Sequence, residues 1–238
     1  MQESIEAYRH AARLKPNDPE ILHNLAMALL TIGEFDEGWR LYEERWKIGQ
    51  LAHAYRNYPQ PLWQGEAAER RVLFIHAEQG FGDTLQFCRY APLAVKRGLR
   101  VVLEAQPALV RLMQSLDGVE TVVSPDEKFT AFDFHCPMMS LPHAFKTRLE
   151  TIPASIPYLK ADAKDAALWR EQIAALAPAG KRRIGLVWAG NPRRHSPILS
   201  LTDGRRSIAP ELLQPLFKTG NAVFFSLQKD GQKAPEEL

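Results

Sequence analysis

The side chains best suited to chemistry lie in one segment, HAEQGFGDTLQFCRY, which runs from His76 to Tyr90. Its central acid, Asp83, could accept a proton from a substrate hydroxyl as a general base. Aspartate near the start of a helix also serves as a cap, and spacing alone favours the cap over the base. Further polar side chains of this segment that could bind a substrate are Glu78, Gln79, Gln86 and Arg89.

A strand, a glycine-containing turn and a helix must position these side chains. The apolar run Val72–Ile75 is typical of a buried parallel strand, and Asp83 or Thr84 is expected at the N-cap of the helix that follows. Gly80 and Gly82 lie in the turn between them. Such a turn leaves backbone N–H groups and the positive end of a helix dipole facing outward. Because α/β folds bind ligands at the carboxyl ends of their strands, we predict that this turn belongs to a binding site.

A second group of polar residues follows another predicted strand, in the sequence HCPMMSLP from His135 to Pro142. His135, Ser140 and His143 are expected on the same edge of the sheet as the turn at Asp83, where they could contact a substrate. A lone histidine is more often structural than a ligand, so no metal is assigned to His135.

A third group surrounds the sequence GLVWAGNP, from Gly185 to Pro192. An arginine-rich loop follows, and Ser207 is expected to cap the helix after it. Arginines beside a helix N-terminus are typical of phosphate binding, although a disordered basic loop explains the composition equally well. The candidate residues of this group are Gly190, Asn191, Arg193, Arg194, His195, Arg205, Arg206, Ser207, Gln228 and Lys229.

Strands and helices alternate from residue 70 onwards, which indicates an α/β fold with a doubly wound parallel sheet. The predicted strands are Val72–His76, Arg100–Glu104, Glu120–Val123, Phe132–Cys136, Arg183–Ala189 and Ala222–Leu227. The predicted helices are Thr84–Arg97, Pro107–Leu116, Asp165–Leu176 and Ala209–Phe217. We therefore predict a Rossmann-like domain over residues 70–178 and part of a second one over residues 179–238.

Residues 1–50 have a helical pattern with an internal repeat. Ile5–Tyr8 recurs 34 positions later as Trp39–Tyr42, a period that resembles the tetratricopeptide (TPR) repeat. The matching residues are Pro16, Leu22, Leu25, Gly38 and Tyr42. About one and a half repeats are present, so we expect them to lean on the next domain or to belong to a longer array. Residues 51–69 are predicted to form a proline-containing connector, in which Trp63 is a packing anchor.

The composition is that of an ordinary globular protein, with 238 residues, 45% apolar, 24% charged and a formal charge of +2. The charge gives no reason to invoke nucleic acid or an anionic membrane, and no apolar run approaches the ~20 residues of a membrane span. The two cysteines, Cys88 and Cys136, form no CxxC pair, which favours a cytoplasmic setting without a zinc site or disulfide.

Together with the helical repeats, the motifs PLWQGE, HAEQGFGDTLQFCRY, HCPMMSLP, GLVWAGNP, RRSI and FSLQK resemble bacterial TPR-containing glycosyltransferase-like proteins. These are similar to lipopolysaccharide heptosyltransferases and, more distantly, to O-linked N-acetylglucosamine transferases. The resemblance covers nearly the whole chain and implies the GT-B architecture, in which two Rossmann-like domains face a cleft. It also implies that Asp83 is the general base for the acceptor hydroxyl, which reverses the preference for a simple cap.

The resemblance places the acceptor on the first domain and the nucleotide-sugar donor on the second. The implied acceptor-binding residues are Glu78, Gln79, Gly80, Gly82, Gln86, Arg89, His135 and Ser140. The implied donor-binding residues are Gly190, Asn191, Arg205, Arg206, Ser207, Gln228 and Lys229. No metal or other cofactor is expected, since cationic side chains and helix dipoles can stabilise a leaving diphosphate.

The chain departs from this family after the SLQK motif, where family members continue through a segment resembling DTAxxHLAGA that embraces the donor diphosphate. We therefore expect these 238 residues to bind a nucleotide sugar weakly or not at all, and to be inactive alone. An alternative is a non-catalytic module whose TPR helices recruit a protein partner. A dinucleotide-binding enzyme is less favoured, because GFGD lacks a third glycine and Glu104 is a weak match to the ribose-binding acid. Apolar surface on the helices could also drive formation of a homodimer.

Overall fold

The computed structural model describes residues 1–190 and 197–229. The chain divides into two units, Met1–Ala161 and Asp162–Leu238. Among the described residues, no helix is both long enough and apolar enough to cross a membrane.

Helices form the first part of the first unit. They are α1 (Gln2–Leu14), α2 (Pro19–Thr31), α3 (Phe35–Tyr42), a 3₁₀ turn (Glu43–Lys47) and α4 (Gly49–Ala54). Helix α2 begins after Asp18, because the Asp18 carboxylate caps it by accepting the N–H groups of Glu20 and Ile21. Gly38 lets α3 approach α2 closely, since a Cβ there would lie 2.8 Å from Leu30 Cδ2. The helix α4 extends into the predicted connector, whose irregular part starts at Tyr55.

The sheet of the first unit has four parallel strands, as predicted. They are β1 (Val72–His76), β2 (Arg100–Glu104), β3 (Thr121–Val123) and β4 (Phe134–Pro137). The spatial order β3-β2-β1-β4 is that of a Rossmann-like sheet. The order reverses between β1 and β4, so the crevice where such sheets bind ligands lies at the carboxyl ends of these two strands.

Short helices and 3₁₀ turns connect these strands. The helices are α5 (Phe81–Phe87), α6 (Ala91–Lys96), α7 (Val110–Met113) and α8 (Leu141–Ala144), with 3₁₀ turns at Cys88–Tyr90, Pro107–Leu109, Met138–Ser140 and Leu149–Thr151. The helix predicted over Thr84–Arg97 therefore begins three residues earlier and is interrupted at Cys88–Tyr90. Pro92 accounts for the interruption, because it has no N–H to donate to the carbonyl of Cys88.

Two apolar cores cover the two faces of the sheet. On one face, Leu73 and Ile75 share a continuous core with buried residues of α2 and α3. The N-terminal helices thus pack on the sheet, which is one of the two arrangements expected. On the other face, Phe74 packs with Phe132 and with Tyr58 of the connector. Trp63 is 1% exposed, as expected of an anchor.

The second unit contains a smaller parallel sheet of two described strands. Its elements are α9 (Ala163–Leu176), β5 (Arg182–Leu186), α10 (Pro197–Arg206), a 3₁₀ turn (Pro210–Leu213), α11 (Gln214–Phe217) and β6 (Ala222–Ser226). The sequence placed residues 197–206 in a loop, whereas they form α10. The single helix predicted over Ala209–Phe217 is also wrong, because it is split into the 3₁₀ turn and α11.

Candidate functional site

The turn between β1 and α5 has the predicted strand–turn–helix form, but its capping residue differs from the prediction. Gly80, rather than Asp83 or Thr84, is the N-cap of α5. Asp83 is the third helical residue, and its Oδ2 accepts the Gly80 N–H at 2.9 Å. Within the described part of the chain, the other oxygen of Asp83 accepts no hydrogen bond. Asp83 therefore caps the helix with one oxygen, and the second oxygen is left for another donor.

Glu78, in the same turn, is bound by a buried arginine from the helical segment. Arg45 donates from Nε and Nη2 to the two oxygens of Glu78, at 3.0 Å each. The side chains of Arg45 and Glu78 are 0% and 1% exposed, and Glu78 also accepts the Met139 N–H at 2.8 Å. Burial raises the pKa of Glu78, although Arg45 opposes this effect. The carboxylate of Glu78 is thus engaged inside the protein and links two turns.

Ser140 belongs to the same buried network. Its hydroxyl accepts from Arg45 Nη2 at 2.7 Å and donates to Glu43 at 2.9 Å. Arg45 also donates to Glu43 at 2.8 Å, and its guanidinium lies 4.3 Å from the ring centroid of Trp46. Burial disfavours the charge, but Glu78 and Glu43 outweigh it and raise the pKa of Arg45. One arginine therefore connects the helical segment to the turns after β1 and β4, at the sheet edge where the order reverses.

Gln79 is also held from both sides of the turn. The side-chain amide of Gln79 donates to the Tyr42 hydroxyl at 3.3 Å, and the backbone carbonyl of Gln79 accepts from the Gln106 side chain at 2.9 Å. Gln106 in turn accepts from the Thr84 hydroxyl at 2.9 Å. These contacts fix the backbone around Gly80, whereas Phe81 and Gly82, the first two residues of α5, are exposed.

The two remaining candidates on this helical stretch, Gln86 and Arg89, do not form a shared surface. Gln86 is exposed. Arg89 donates to the carbonyl of Pro153 at 3.0 Å, and its guanidinium lies 4.3 Å from the ring centroid of Tyr158. Arg89 thus binds the segment that contains Pro153 and Tyr158, and it is not the solvated surface charge that the sequence also allowed.

His135 is buried, and it forms a pair that the sequence did not reveal. His76 Nε2 lies 3.4 Å from His135 Nδ1, and the ring of Tyr58 packs against both imidazoles. Burial, together with the charge of Arg56, lowers the pKa of His76 well below its usual value, and burial lowers the pKa of His135. Both rings are therefore neutral at physiological pH. Alternation along β1 could have indicated this, because His76 falls on the same face as Phe74.

Glu104, at the end of β2, is bound by Arg56 rather than presented to a ligand. Two hydrogen bonds of 2.6 Å join the Arg56 guanidinium to the Glu104 carboxylate, and Glu104 as a whole is 3% exposed. An acid that binds a ribose must be accessible at this position, so the arrangement argues further against a dinucleotide-binding site.

Both cysteines lie in the core of the first unit. Both thiols are unpaired and buried, and burial raises the pKa of Cys88 to about 12. Neither thiol is therefore poised as a nucleophile. Among residues 1–190 and 197–229, no group of three or more His, Cys, Asp or Glu side chains is arranged to hold a metal ion.

The second unit brings four of its predicted donor-binding residues into hydrogen-bonded groups. Gly190 N–H donates to Ser207 Oγ at 3.2 Å, and Asp203 accepts from both Ser207 and Arg206, at 3.2 and 3.0 Å. Ser207 thus closes the C-terminal end of α10, and its predicted role as the N-cap of the next helix is wrong. A Cβ at Gly190 would lie too close to Asp203 Oδ1, so a larger residue here would displace the Asp203 and Arg206 side chains.

Gln228, also predicted to bind the donor, fastens the backbone after β5. Its side-chain oxygen accepts the N–H groups of Trp188 and Ala189, at 3.2 and 3.0 Å, and its nitrogen donates to the Ala189 carbonyl at 2.9 Å. Lys229 is exposed, and so is Arg205, which lines an open cavity of about 560 Å³. Asn191 and the basic residues at positions 193–195 lie outside the described residues.

The chain is distantly similar to a known protein. Over 243 residues the chain is 28% identical to protein FlbA of Caulobacter vibrioides, an alignment that covers 92% of this chain and 39% of FlbA. The chain thus spans about two fifths of the length of this curated relative. No family model matches the chain, and no solved structure matches it.

Proposed function

We propose that this chain is a glycosyltransferase-like protein of GT-B type, with TPR-like helices preceding its acceptor-binding sheet. In its full natural form it transfers a sugar from a nucleotide-sugar donor to a protein or glycan acceptor. Asp83 is the general base that takes the proton of the acceptor hydroxyl. The observation that carries this proposal is the turn from Gly80 to Asp83, at the carboxyl end of a central strand where the sheet order reverses.

The geometry of Asp83 fits this role. A base needs a carboxylate that is ionised and held in a fixed direction. The hydrogen bond from the Gly80 N–H fixes one oxygen of Asp83. The second oxygen can then accept the proton of a bound hydroxyl without loss of the helix cap. Capping and catalysis are thus compatible in one side chain.

The role proposed for the second unit is to bind the donor phosphates. Arg206, the last residue of α10, is paired with Asp203, and its side chain is 55% exposed. The Gly190 N–H, on the loop after β5, belongs to the same hydrogen-bonded group through Ser207. An exposed guanidinium suits phosphate oxygens. We propose no metal or cofactor for the reaction, because cationic side chains can stabilise the leaving diphosphate.

A non-catalytic interaction module is the second candidate, and one observation favours it. Glu78 and Ser140, both predicted to contact the acceptor, are bound to Arg45 in the interior. If substrate binding needs these two side chains, fewer polar groups are available to a substrate at this sheet edge than the sequence predicts. In that case the first unit is a platform, and the helices carry the function.

The test is Asp83→Asn, assayed for sugar transfer in the full natural form of the protein. Asparagine keeps a side-chain oxygen for the Gly80 N–H but cannot accept a proton as a base. The matched control is Asp18→Asn, which alters an aspartate cap of α2 away from the turn. Loss of transfer in Asp83→Asn alone, at an unchanged melting temperature, supports the transferase. Transfer by Asp83→Asn at the wild-type rate excludes Asp83 as the base, whereas the absence of transfer by the wild-type protein itself favours the interaction module.

A further inference from the structure

A cavity of about 560 Å³ opens in the first unit between α3 and the segment that follows α8. Its volume falls within the range of ligand-binding pockets. Of the residues that the sequence suggested as substrate contacts, His143 lines this cavity, whereas Asp83 and the implied acceptor-binding residues do not. Its lining includes Phe35, Asp36, Trp39, Arg40, Lys146 and Arg148.

Two aromatic rings of α3 form an apolar surface in this cavity. The rings of Phe35 and Trp39 are stacked, with centroids 6.3 Å apart and planes within 11°. Both side chains are half-buried rather than enclosed in the core. A half-exposed pair of stacked rings suits an apolar side chain of a partner.

The charges around the cavity are unbalanced. Asp36 is engaged by Arg148 at 2.8 Å. Arg40 and Lys146 are exposed, and among the described residues neither has an ion-pair or hydrogen-bond partner through its side chain. The wall of the cavity therefore carries two uncompensated positive charges.

A second cavity, of about 510 Å³, shares Arg40 with the first and lies between α1, α2 and α3. Its acids are also engaged, since Glu37 pairs with Arg9 at 3.0 Å and Glu44 with Lys47 at 2.7 Å. Arg40 thus stands between two open cavities whose carboxylates are already neutralised. This arrangement suits an extended ligand with negative charges spaced along it.

We propose that this surface binds an acidic peptide segment of a partner protein. An aromatic or leucine side chain of the peptide lies on Phe35 and Trp39, and its carboxylates pair with Arg40 and Lys146. A peptide suits this surface because its apolar side chain and its carboxylates contact the stacked rings and the two separate positive charges at once. The pairs are solvent-exposed, so the affinity is modest and falls as salt concentration rises.

The experiment measures fluorescence anisotropy of a labelled peptide, Glu-Glu-Leu-Phe-Glu-Glu, titrated with the 238-residue chain at low salt. The test variant is the double charge reversal Arg40→Glu/Lys146→Glu. The control is Lys181→Glu/Lys218→Glu, which makes the same change in net charge at exposed positions of the second unit. Melting temperatures of both variants are measured to show that they are folded.

The expected result is a loss of affinity of about tenfold in the test variant and less than about twofold in the control. A peptide with alanines in place of leucine and phenylalanine should bind more weakly, and one with lysines in place of glutamates should not bind. Equal losses in the two variants, no detectable binding of the acidic peptide, or its displacement by micromolar UDP or ADP would each overturn the proposal. Since no sugar donor enters the assay, its outcome is independent of the role of Asp83.

Discussion

Replacing Arg45 by methionine should remove the charge that holds three parts of the first unit together. Methionine fills a similar volume, but it leaves the 1% exposed carboxylate of Glu78 without its cation. Breaking a buried pair from one side costs about 3–5 kcal/mol, because the remaining charge stays in the interior. At roughly 2–4 °C per kcal/mol for a unit of this size, the melting temperature should fall by about 6–20 °C.

The pH dependence of the stability lost in Arg45→Met shows whether the unpaired carboxylate of Glu78 causes it. Without Arg45, the pKa of Glu78 in the folded protein is raised further above its value in the unfolded chain. A raised pKa of an acid means that protonation stabilises the fold at low pH, and that this contribution disappears as the pH rises through the folded pKa. The deficit of Arg45→Met should therefore be larger at about pH 8 than at about pH 5.

Urea denaturation followed by circular dichroism measures the deficit at both pH values. Arg45→Met/Glu78→Gln should recover part of the lost stability, since it removes the uncompensated carboxylate. The control is Arg100→Met, which breaks a half-exposed ion pair with Glu120 and should change stability little. If Arg45→Met destabilises no more than Arg100→Met, or if its deficit does not change with pH, the buried pair does not have the role assigned to it.

Three further predictions concern other parts of the chain. Gln228→Leu removes three hydrogen bonds to the backbone after β5, and should lower the free energy of unfolding of the second unit by about 1–3 kcal/mol in urea titrations. Gly190→Ala should also destabilise this unit, because the new methyl group clashes with Asp203; an unchanged melting temperature would contradict this. The lowered pKa of His76 predicts that stability is retained above pH 6.5 and falls as the pH drops below it, since the unfolded chain then binds the proton more readily. His76→Gln should reduce this acid sensitivity and the exposed His53→Gln should not; equal acid profiles would exclude His76 as its source.

The sheet of the first unit could be predicted because its signals are local. Four short apolar runs separated by helical segments gave strands within two residues of those observed, and parallel pairing follows from their alternation with helices. The position of the turn at Gly80 followed from the same pattern. Its cap was misplaced, because Gly80, Asp83 and Thr84 are all acceptable capping residues and sequence alone does not rank them.

The buried polar network could not be predicted, because nothing local marks its central residue. Arg45 lies in a helical segment beside Glu44 and Lys47, where a charged residue is usually solvated. Its burial depends on Glu78 and Ser140, which are 33 and 95 positions away. The helix α10 was missed because its basic residues and Gly204 are typical of a loop.

The most direct test of the account is the rate of sugar transfer by Asp83→Asn relative to wild type, in the full natural form of the protein. If Asp83 is the general base, the rate should fall by about 10²–10⁴-fold at an unchanged melting temperature. Asp83→Ala should show the same loss of rate and, in addition, about 1 kcal/mol lower stability from the lost cap. Transfer by Asp83→Asn within a few-fold of wild type would contradict the account and leave Asp83 as a helix cap alone.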